Sequence, residues 1–361
     1  MSTKQSRVTI EHVARLAGVS TTTVSNVLND RVTAMGPATL ERVLEAVRML
    51  GYYPSNAARS LVSGRTATVG LVIREIATPL FFGAVSAIER VARDSSCSVL
   101  LCHASDVPEE RDAIDLLLKQ GVDGMIFLST SEYRDDSHIS AVAGRIPVVA
   151  INRSGTAGSF DRILWDNAGG IADAVAHLHG LGHVRIAHFR GPPDRRSTDE
   201  RFQGYRDSLA ACGLEFHRDL VFEADYTGNP AAWEDAARSM VSLPQRPTAV
   251  IASDDSVAAV VIRALQEDGL AVPYDCAVIG VDDQPFAAFL NPALTTVRLP
   301  IAEAGREAAT ILFRRIMGES EEAKPLMLPT RLVVRESCGS STGPIGGRPS
   351  LRGVSRTGTS G

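Results

Sequence analysis

Apolar residues near the start of the chain follow two short helical patterns on either side of a glycine-bearing turn. The first pattern has apolar side chains at i, i+3, i+4 and i+7, with Thr9 able to cap its first turn and Gly18 able to end it. Its apolar positions are Ile10, Val13, Ala14 and Ala17. The second pattern begins after Ser20, a good N-cap residue, and its apolar positions are Val24, Val27 and Leu28. The spacing predicts a helix-turn-helix whose second helix runs to about Asn29.

The second predicted helix has one apolar face and one face of small polar side chains. At about 100° per residue, its three apolar residues fall on one arc, and Thr22, Ser25 and Asn26 fall on the opposite arc. Such short side chains let a helix lie deep in the major groove of DNA, where Asn can pair with adenine and Thr can contact base edges or a thymine methyl. The alternative is a surface helix that is rich in Thr because Ser and Thr cluster at helix starts.

A third helix and a short linker follow this pair. Pro37 suits the first position of a helix, and an apolar stripe then runs as far as Gly51. The stripe consists of Leu40, Val43, Leu44, Val47 and Leu50. The next segment, from Tyr52 to Leu61, contains small residues that allow a helix of two turns. A helix this short is marginal unless another element packs on it.

From Ala67 onward, short β-rich runs alternate with helical patterns, which is typical of a parallel sheet with crossover helices. The predicted strands are 68–73, 98–103, 124–129, 148–152 and 163–166 in a first set, and 185–190, 220–223, 249–253 and 277–282 in a second. Predicted helices include 82–94 and 108–119. Two such sets in series predict an α/β fold with a two-lobed body, each lobe a doubly wound parallel sheet, and a ligand cleft at the strand ends.

The charge of the chain is divided unevenly. Over 361 residues the net charge is −5, but residues 1–65 carry eight Lys and Arg against four Asp and Glu, a net charge of +4. The remainder therefore carries −9. A basic head on an acidic body concentrates phosphate attraction in one module and keeps the body away from the polyanion. The hydrophobic content of 44% is enough for ordinary cores.

The cysteines and the lengths of the apolar runs indicate the cellular compartment in which the protein is expected. The five cysteines are scattered, odd in number and without a CxxC pair, so they are interpreted as reduced cytosolic thiols. No apolar run approaches the roughly 18 residues of a membrane span, and no apolar core of a secretion signal follows Lys4 and Arg7. We therefore expect a cytoplasmic protein without a membrane partner.

The order of these motifs resembles the lactose-repressor/galactose-repressor (LacI/GalR) family of bacterial transcription regulators. The resemblance rests on TIEHVARLAGVSTTTVSNVLN, the helix ending in LGYYPSNAARSL, and the ATVGLVI strand. It implies that the recognition helix reads bases through Thr21, Thr22 and Asn26, with Ser25 at a backbone-contacting position. It also implies that the linker forms a helix in the minor groove, where Leu61 wedges open a central step of a pseudo-palindromic operator. The DNA-binding residues are predicted to be Thr21, Thr22, Ser25, Asn26, Asn29 and Leu61.

The resemblance continues through the body to about residue 338, with GVDGMIFL, LWDNAGG, RFQGY, PTAVIASDD and VIGVDDQP as landmarks. Arg195 and Arg201 would supply planar donors and Asp282 an acceptor, while Tyr226 and the Phe81-Phe82 pair would supply flat apolar surface. This mixture suits a small polar ring, a sugar or a nucleobase. The resemblance implies effector contacts for Arg201 and Asp282, and for positions that some members use. The predicted effector residues are Phe82, Arg195, Ser197, Arg201, Tyr226, Asp254 and Asp282; core packing is the alternative for the two aromatic ones.

Several residues invite catalytic or metal-binding interpretations. The densest histidine cluster is His177, His179, His183 and His188, and the carboxylate pairs are Asp254-Asp255 and Asp282-Asp283. The first two histidines are about 200° apart on a helix and cannot bind one metal ion there. The third is interpreted as a satisfied local cap. No nucleophile elbow, P-loop or dinucleotide fingerprint accompanies the carboxylate pairs in the sequence. We therefore predict neither an enzyme nor a metal or cofactor site.

These observations predict a domain order and a function. The head spans 1–53 and the hinge helix and linker 54–66. The body spans 67–338, with lobe 1 at about 67–165 and 298–326 and lobe 2 at about 166–297 and 327–338, and a disordered tail spans 339–361. The tail has no leucine heptad, so a homodimer through the body is expected rather than a tetramer.

The predicted function is a repressor that binds double-stranded operator DNA and is controlled by a small-molecule effector, a sugar or sugar derivative. The alternatives are a nucleobase-type effector and a solute-binding protein with the same body.

Overall fold

The structure is a computed structural model of the chain and describes residues 8–28, 36–52, 64–74, 79–129, 136–153, 160–192, 195–223 and 230–339. Every structural statement below concerns these residues. The chain divides into two compact units. The first comprises Met1–Thr68 with Gly121–Asp123, and the second comprises the rest of the chain.

Three helices around a small apolar core form the main part of the first unit. They are α1 (Ile10–Ala17), α2 (Thr21–Leu28) and α3 (Pro37–Leu50). Gly18 and Gly51 follow α1 and α3 with left-handed φ values of 65° and 58°, which glycine adopts without a Cβ clash. The core side chains are Val13, Ala14, Ala17, Val24, Val27, Val43 and Ala46. The predicted helix-turn-helix is confirmed, and Asn29 lies outside the described residues.

Two six-stranded sheets form the second unit. The first sheet contains β1 (Thr68–Ile73), β2 (Ser98–His103), β3 (Gly124–Leu128), β4 (Val148–Ile151), β5 (Asp161–Trp165) and β11 (Pro325–Leu328). The second contains β6 (Ile186–Arg190), β7 (Val221–Glu223), β8 (Ala249–Ile251), β9 (Ala277–Asp282), β10 (Thr295–Arg298) and β12 (Arg331–Val333). Their orders are β11-β5-β4-β3-β1-β2 and β12-β10-β9-β8-β6-β7. The predicted two-sheet α/β body is thereby confirmed.

Helices accompany both sheets. They are α4 (Phe82–Asp94), α5 (Val107–Lys119), α6 (Ser137–Ala143), α7 (Asn167–Gly180), α8 (Arg196–Ala211), α9 (Pro230–Val241), α10 (Asp255–Glu267) and α11 (Ile301–Ile316). Helix α4 packs on α11, α7 on α8, and α9 on α10. Among the described helices, none is both long enough and apolar enough to cross a bilayer.

The chain passes between the two sheets three times. It leaves the first sheet after β5, returns from β10 through α11 to β11, and enters β12 at Arg331. β12 pairs antiparallel with β10, and Arg331 lies opposite Arg298 at the carboxyl end of β10. The three crossings follow β5, β10 and β11, and each begins at the carboxyl end of its strand. The carboxyl edges of both sheets therefore lie at the crossings. This is the edge at which ligands bind in open α/β sheets.

The predicted strands differ from the observed ones mainly at their carboxyl ends. Prediction extended β5 to Asp166 and β8 to Ser253, whereas the strands end at Trp165 and Ile251. Asp166 instead caps α7, its Oδ1 accepting a hydrogen bond from the backbone N–H of Gly169 at 2.8 Å. The prediction did not include β10, β11 or β12, each of which has only three or four residues.

Close helix packing makes one glycine of the body a sharp test of the fold. A Cβ on Gly305 of α11 would lie 2.5 Å from the backbone oxygen of Ala84 in α4, and backbone atoms cannot rotate away. Gly305→Ala should therefore lower the free energy of unfolding by about 1–3 kcal/mol. Gly180→Ala is the matched control, because nothing lies within 4 Å of a Cβ there. Urea unfolding measures both, and equal stabilities would contradict the packing described.

Candidate nucleic-acid interface and ligand site

The recognition helix α2 is buried on one side and open on the other. Val24 and Val27 are buried in the core of the first unit, whereas Thr21 and Thr22 are exposed and Asn26 is half-buried. Ser25 is also half-buried. Of the polar arc expected from the helical angles, Thr22 is thus exposed, and Ser25 and Asn26 are half-buried. Asn29 and Leu61, the other two predicted DNA contacts, lie outside the described residues.

The start of α2 separates capping residues from accessible ones. The Oγ of Ser20 accepts the backbone N–H of Thr23 at 3.1 Å and lies 2.9 Å from the Oγ1 of Thr23. The capping role therefore belongs to Ser20 and Thr23. Capping does not account for Thr21 and Thr22, which weakens the alternative of a merely Thr-rich helix start.

In the body, two predicted effector residues lie side by side. Arg201 is on α8, and its Nη2 lies 3.9 Å from the Oδ1 of Asp282 at the end of β9. Their side chains are only 14% and 11% exposed. Arg201 Nε donates to the Oδ1 of Asn167 at 3.1 Å, and Nη1 donates to the backbone oxygen of Ser253 at 2.7 Å. Residues at the ends of β5, β8 and β9 therefore hold the Arg201 guanidinium beside the Asp282 carboxylate.

The backbone around Asp282 is strained. Asp282 and Asp283 have φ values of 112° and 52°, a region that disfavours side chains with a Cβ. Two arginines hold Asp283: Arg298 Nε donates to Oδ2 and Arg335 Nη2 donates to Oδ1, each at 2.6 Å. These bonds bind the strained turn to β10 and to the segment after β12.

Asp254 and Asp255 have separate structural roles. Asp254 caps α10, its Oδ1 accepting the backbone N–H groups of Ser256 at 2.7 Å and Val257 at 3.0 Å. Burial raises the pKa of the Asp254 carboxyl, and the nearby Arg201 opposes that rise. Asp255 is fully buried, and burial raises its pKa to about 7.

The buried Asp255 carboxyl supports the turn that carries Asp282. One of its oxygens lies 2.5 Å from the Oγ1 of Thr296, and the other accepts the backbone N–H of Gln284 at 2.7 Å. A Cβ on Gly280 would lie 2.3 Å from the Oδ1 of Asp255, so β9 can approach this carboxyl only with glycine at that position.

The other predicted effector residues are more dispersed. Arg195 precedes α8 and Ser197 lies in its first turn; the former is half-buried and the latter buried. Phe82 begins α4 beside the first sheet and is 59% exposed. The expectation that Phe81 and Phe82 present apolar surface as a pair was wrong for Phe81, which is buried in the core. Tyr226 lies outside the described residues.

Three histidines of the dense cluster contact other parts of the body. His188 is buried against Tyr205, with ring centroids 5.0 Å apart, its Nδ1 lies 3.0 Å from the backbone oxygen of Ile251, and burial lowers its pKa to about 4. His183 was predicted to be a local cap, but its Nδ1 lies 3.0 Å from the Oγ1 of Thr248, 65 residues away. His177 Nε2 lies 3.3 Å from the Sγ of Cys338. In the described part of the chain, no His, Cys, Asp and Glu side chains form a group that could hold a metal ion.

Sequence reasoning missed Asn167, which contacts Arg201 directly. This residue lies inside the landmark LWDNAGG, immediately after the capping Asp166. The signal available in the sequence was an amide residue at the junction between a strand and the following helix. In open α/β sheets, ligands bind at this edge.

Two family models match the chain. One, described as bacterial regulatory proteins of the lacI family, matches residues 9–55. The other, described as a periplasmic binding protein-like domain, matches residues 175–338. The first includes α1, α2 and α3, and the second includes the whole second sheet.

Full-length relatives and solved structures agree with these matches. The HTH-type transcriptional repressor PurR of Vibrio campbellii is 32% identical over 330 residues, covering 91% of this chain and 98% of that protein. A solved complex of the transcriptional regulator CelR with cellobiose is 35% identical, with a TM-score of 0.68, and covers 92% of this chain and 100% of that one. The Lac repressor dimer bound to operator and the anti-inducer ONPF is 27% identical, with a TM-score of 0.82, and covers 92% and 99%.

A helix-turn-helix head, a body of two mainly parallel sheets and relatives matched along nearly their whole length lead to one conclusion. The chain belongs to the LacI family of bacterial transcription regulators.

Proposed function

We propose that this regulator is a homodimeric repressor that binds a pseudo-palindromic operator and is controlled by a small carbohydrate bound between the lobes. The observation that carries the effector assignment is the Arg201–Asp282 pair at the carboxyl edge of the second sheet. A sugar hydroxyl both donates and accepts hydrogen bonds, so it can accept from the guanidinium and donate to the carboxylate. The cellobiose complex of CelR supports a sugar ligand for this body.

In the proposed operator complex, α2 enters the major groove. Thr21, Thr22 and Asn26 contact bases, and Ser25 contacts the backbone, with Asn29 and Leu61 as further contacts. The exposure of Thr22 opposite the buried Val24 supports this orientation, and Thr21 is exposed beside it at the start of the helix. The net charge of +4 over residues 1–65 supports attraction to phosphates.

A dimer through the body is supported by apolar side chains that this chain leaves exposed. Edge strand β2 carries Leu100 and Leu101, the latter 42% exposed, and Leu116 is exposed on the neighbouring α5. In the second lobe, Phe289 is 86% exposed. Isolated exposed residues are ordinary, but two on an edge strand and a third on the helix beside it favour contact with another apolar surface. The Lac repressor structure matched above is a dimer on its operator.

The proposal includes regulation without catalysis, in the cytoplasm where the DNA is. Asp255, whose pKa of about 7 would suit a general base, is enclosed by Thr296 and Gln284 and cannot reach a substrate. The proposed domain order keeps a head at 1–53, a linker at 54–66, a two-lobed body to 338 and a tail. We place the last change of lobe after Leu328, because β11 pairs along its whole length with β5.

The proposal is tested by incubating the purified protein with genomic fragments and recovering those that it retards at physiological salt. A repressor retards a few pseudo-palindromic fragments selectively, whereas a solute-binding protein retards none. Thermal shift with cellobiose, other sugars and nucleobases then tests the effector class. A ligand at 100 times its Kd adds about 2.7 kcal/mol to stability. Stabilisation by a nucleobase and by no sugar would replace the carbohydrate assignment.

Base reading by α2 gives the first prediction on this function. Asn26→Ala should weaken binding to the recovered operator by about 1–3 kcal/mol and relax the preference at one base pair, because it removes a base contact. Thr23→Ala is the matched control: it removes the contact between the Thr23 and Ser20 hydroxyls at the start of α2 and should weaken all sequences alike. Binding to a library of single-base operator variants measures both. An unchanged sequence preference in Asn26→Ala would show that this side chain does not face the bases.

The exposed edge strand gives a prediction on assembly. Leu101→Glu should place a charge on the proposed dimer surface and shift the protein towards monomers, because an unpaired charge is costly to bury. Val184→Glu, at a residue that is exposed away from β2, is the control and should leave the dimer intact. Analytical ultracentrifugation measures the mass, and a dimeric Leu101→Glu variant would exclude this surface.

The Arg201–Asp282 pair gives a prediction on ligand response. Arg201→Ala and Asp282→Ala should retain operator binding but lose the effect of the active sugar on it, because each removes a charged contact worth about 1.5–3 kcal/mol. Arg185→Ala is the control: this arginine precedes β6, at the opposite edge of the sheet. Operator titrations with and without the sugar give the coupling. A normal response in both pocket variants would move the site elsewhere.

A further inference from the structure

A chain of polar side chains leads from Arg201 to the first crossing between the sheets. Asn167 is the first residue of α7, two positions after the end of β5, and is only 3% exposed. Its Oδ1 accepts from Arg201 Nε at 3.1 Å, and its Nδ2 donates to the Oε2 of Glu200 at 2.9 Å. One short amide thus joins a cation to an anion, which requires an acceptor and a donor on the same side chain.

The far end of this chain is also held. The other carboxylate oxygen of Glu200 lies 2.7 Å from the Nε of Arg196, one turn earlier on α8. Arg201 follows Glu200 directly in sequence, so the two project from different sides of α8. Asn167 bridges them from α7. With Nε bound to Asn167 and Nη1 bound to the backbone of Ser253, the plane of the Arg201 guanidinium is set by two independent contacts.

The start of α7 is bound closely to the third crossing. The backbone N–H of Asp166 donates to the oxygen of Leu328 at 3.0 Å, and the Oγ1 of Thr330 donates to the oxygen of Asp166 at 3.0 Å. A Cβ on Gly170 would lie 2.5 Å from the Oγ1 of Thr330, so this contact leaves no room for a side chain. The segment that carries Asn167 is therefore joined to the third crossing by two hydrogen bonds and a close contact.

We propose that Asn167 is a positioning residue that orients the Arg201 guanidinium for the effector and ties it to the first crossing. The inference rests on the proposed function, because it takes Arg201 as the effector contact. It deepens that function by naming Asn167 as the side chain that connects two features of the body. These are the angle between the two sheets at the first crossing and the orientation of Arg201 in the pocket. Asn167 itself acts through Arg201 and need not contact the sugar.

The test uses substitutions that separate hydrogen bonding from packing. Asn167→Leu keeps the size of the side chain and removes both the acceptor and the donor. The double variant Asn167→Asp with Glu200→Gln keeps the total charge. The aspartate still accepts from Arg201, and the hydrogen bond between positions 167 and 200 reverses its direction, because the glutamine amide donates to the aspartate. Gln203→Leu is the matched control, since this exposed amide of α8 bonds only to Asp207. Urea unfolding first establishes that each variant is folded.

The first readout is the exchange of the Arg201 Nε–H with water, followed by ¹H–¹⁵N NMR and assigned by its loss in Arg201→Lys. Asn167→Leu should raise the exchange rate about tenfold or more, because it removes a hydrogen bond to a charged group. The double variant should return the rate to within about threefold of the unmodified protein, and Gln203→Leu should not change it. Slow exchange in folded Asn167→Leu, or no recovery in the double variant, would overturn the proposal.

The second readout is calorimetric titration with cellobiose as the probe. Asn167→Leu should weaken cellobiose binding about tenfold or more, and the double variant should restore it. Equal affinity in Asn167→Leu and the unmodified protein would contradict a positioning role. If the unmodified protein does not bind cellobiose, that result excludes cellobiose as the effector, and the NMR exchange rates alone decide the role of Asn167.

Discussion

Arg201 and Asp282 are held 3.9 Å apart by contacts that begin at strand ends near the interlobe crossings. Arg201 donates hydrogen bonds to Asn167, just after β5, and to the backbone oxygen of Ser253, just after β8. Asp282 adjoins Asp283, which is clamped by the last residue of β10 and by Arg335 after β12. The groups that hold the proposed ligand contacts are therefore the same groups that join the strand ends near the crossings. This arrangement follows from topology, because all crossings leave from the carboxyl edges.

The same edge concentrates negative charge, and the fold limits the repulsion in two ways. Asp255 is buried with a pKa of about 7, so near neutral pH it is only partly ionised beside Asp254 and Asp283. Asp283 is neutralised by two arginine contacts of 2.6 Å. Asp282, the residue before Asp283, lies 3.9 Å from Arg201.

Periodicity was sufficient to predict the helix-turn-helix and most strands of the body, because those elements have a regular apolar face. It failed for β10, β11 and β12, which have three or four residues and are defined by pairing across distant sequence. Arg201 and Asp282 were predicted to contact an effector through family motifs; the structure brings the two side chains to within 3.9 Å, and their effector role stays a prediction. Asn167 and the role of His183 were not predictable in this way, since both depend on partners that are distant in sequence, Arg201 and Thr248. Phe81 was misjudged because adjacent residues at a helix start face different surroundings.

The strained turn at the end of β9 bears on the energy available for regulation. A non-glycine residue in a sparsely populated φ region costs of the order of 1–3 kcal/mol, and Asp282 and Asp283 are two such residues in succession. Allosteric coupling free energies are typically about 1–3 kcal/mol, which changes affinity about 5- to 150-fold. The conformational free energy held by Arg298, Arg335 and Asp255 at this turn is therefore of the same size as the coupling that a repressor needs. In the proposed function, a ligand on Asp282 acts at this strained turn, where a small change in contacts is enough to alter that balance.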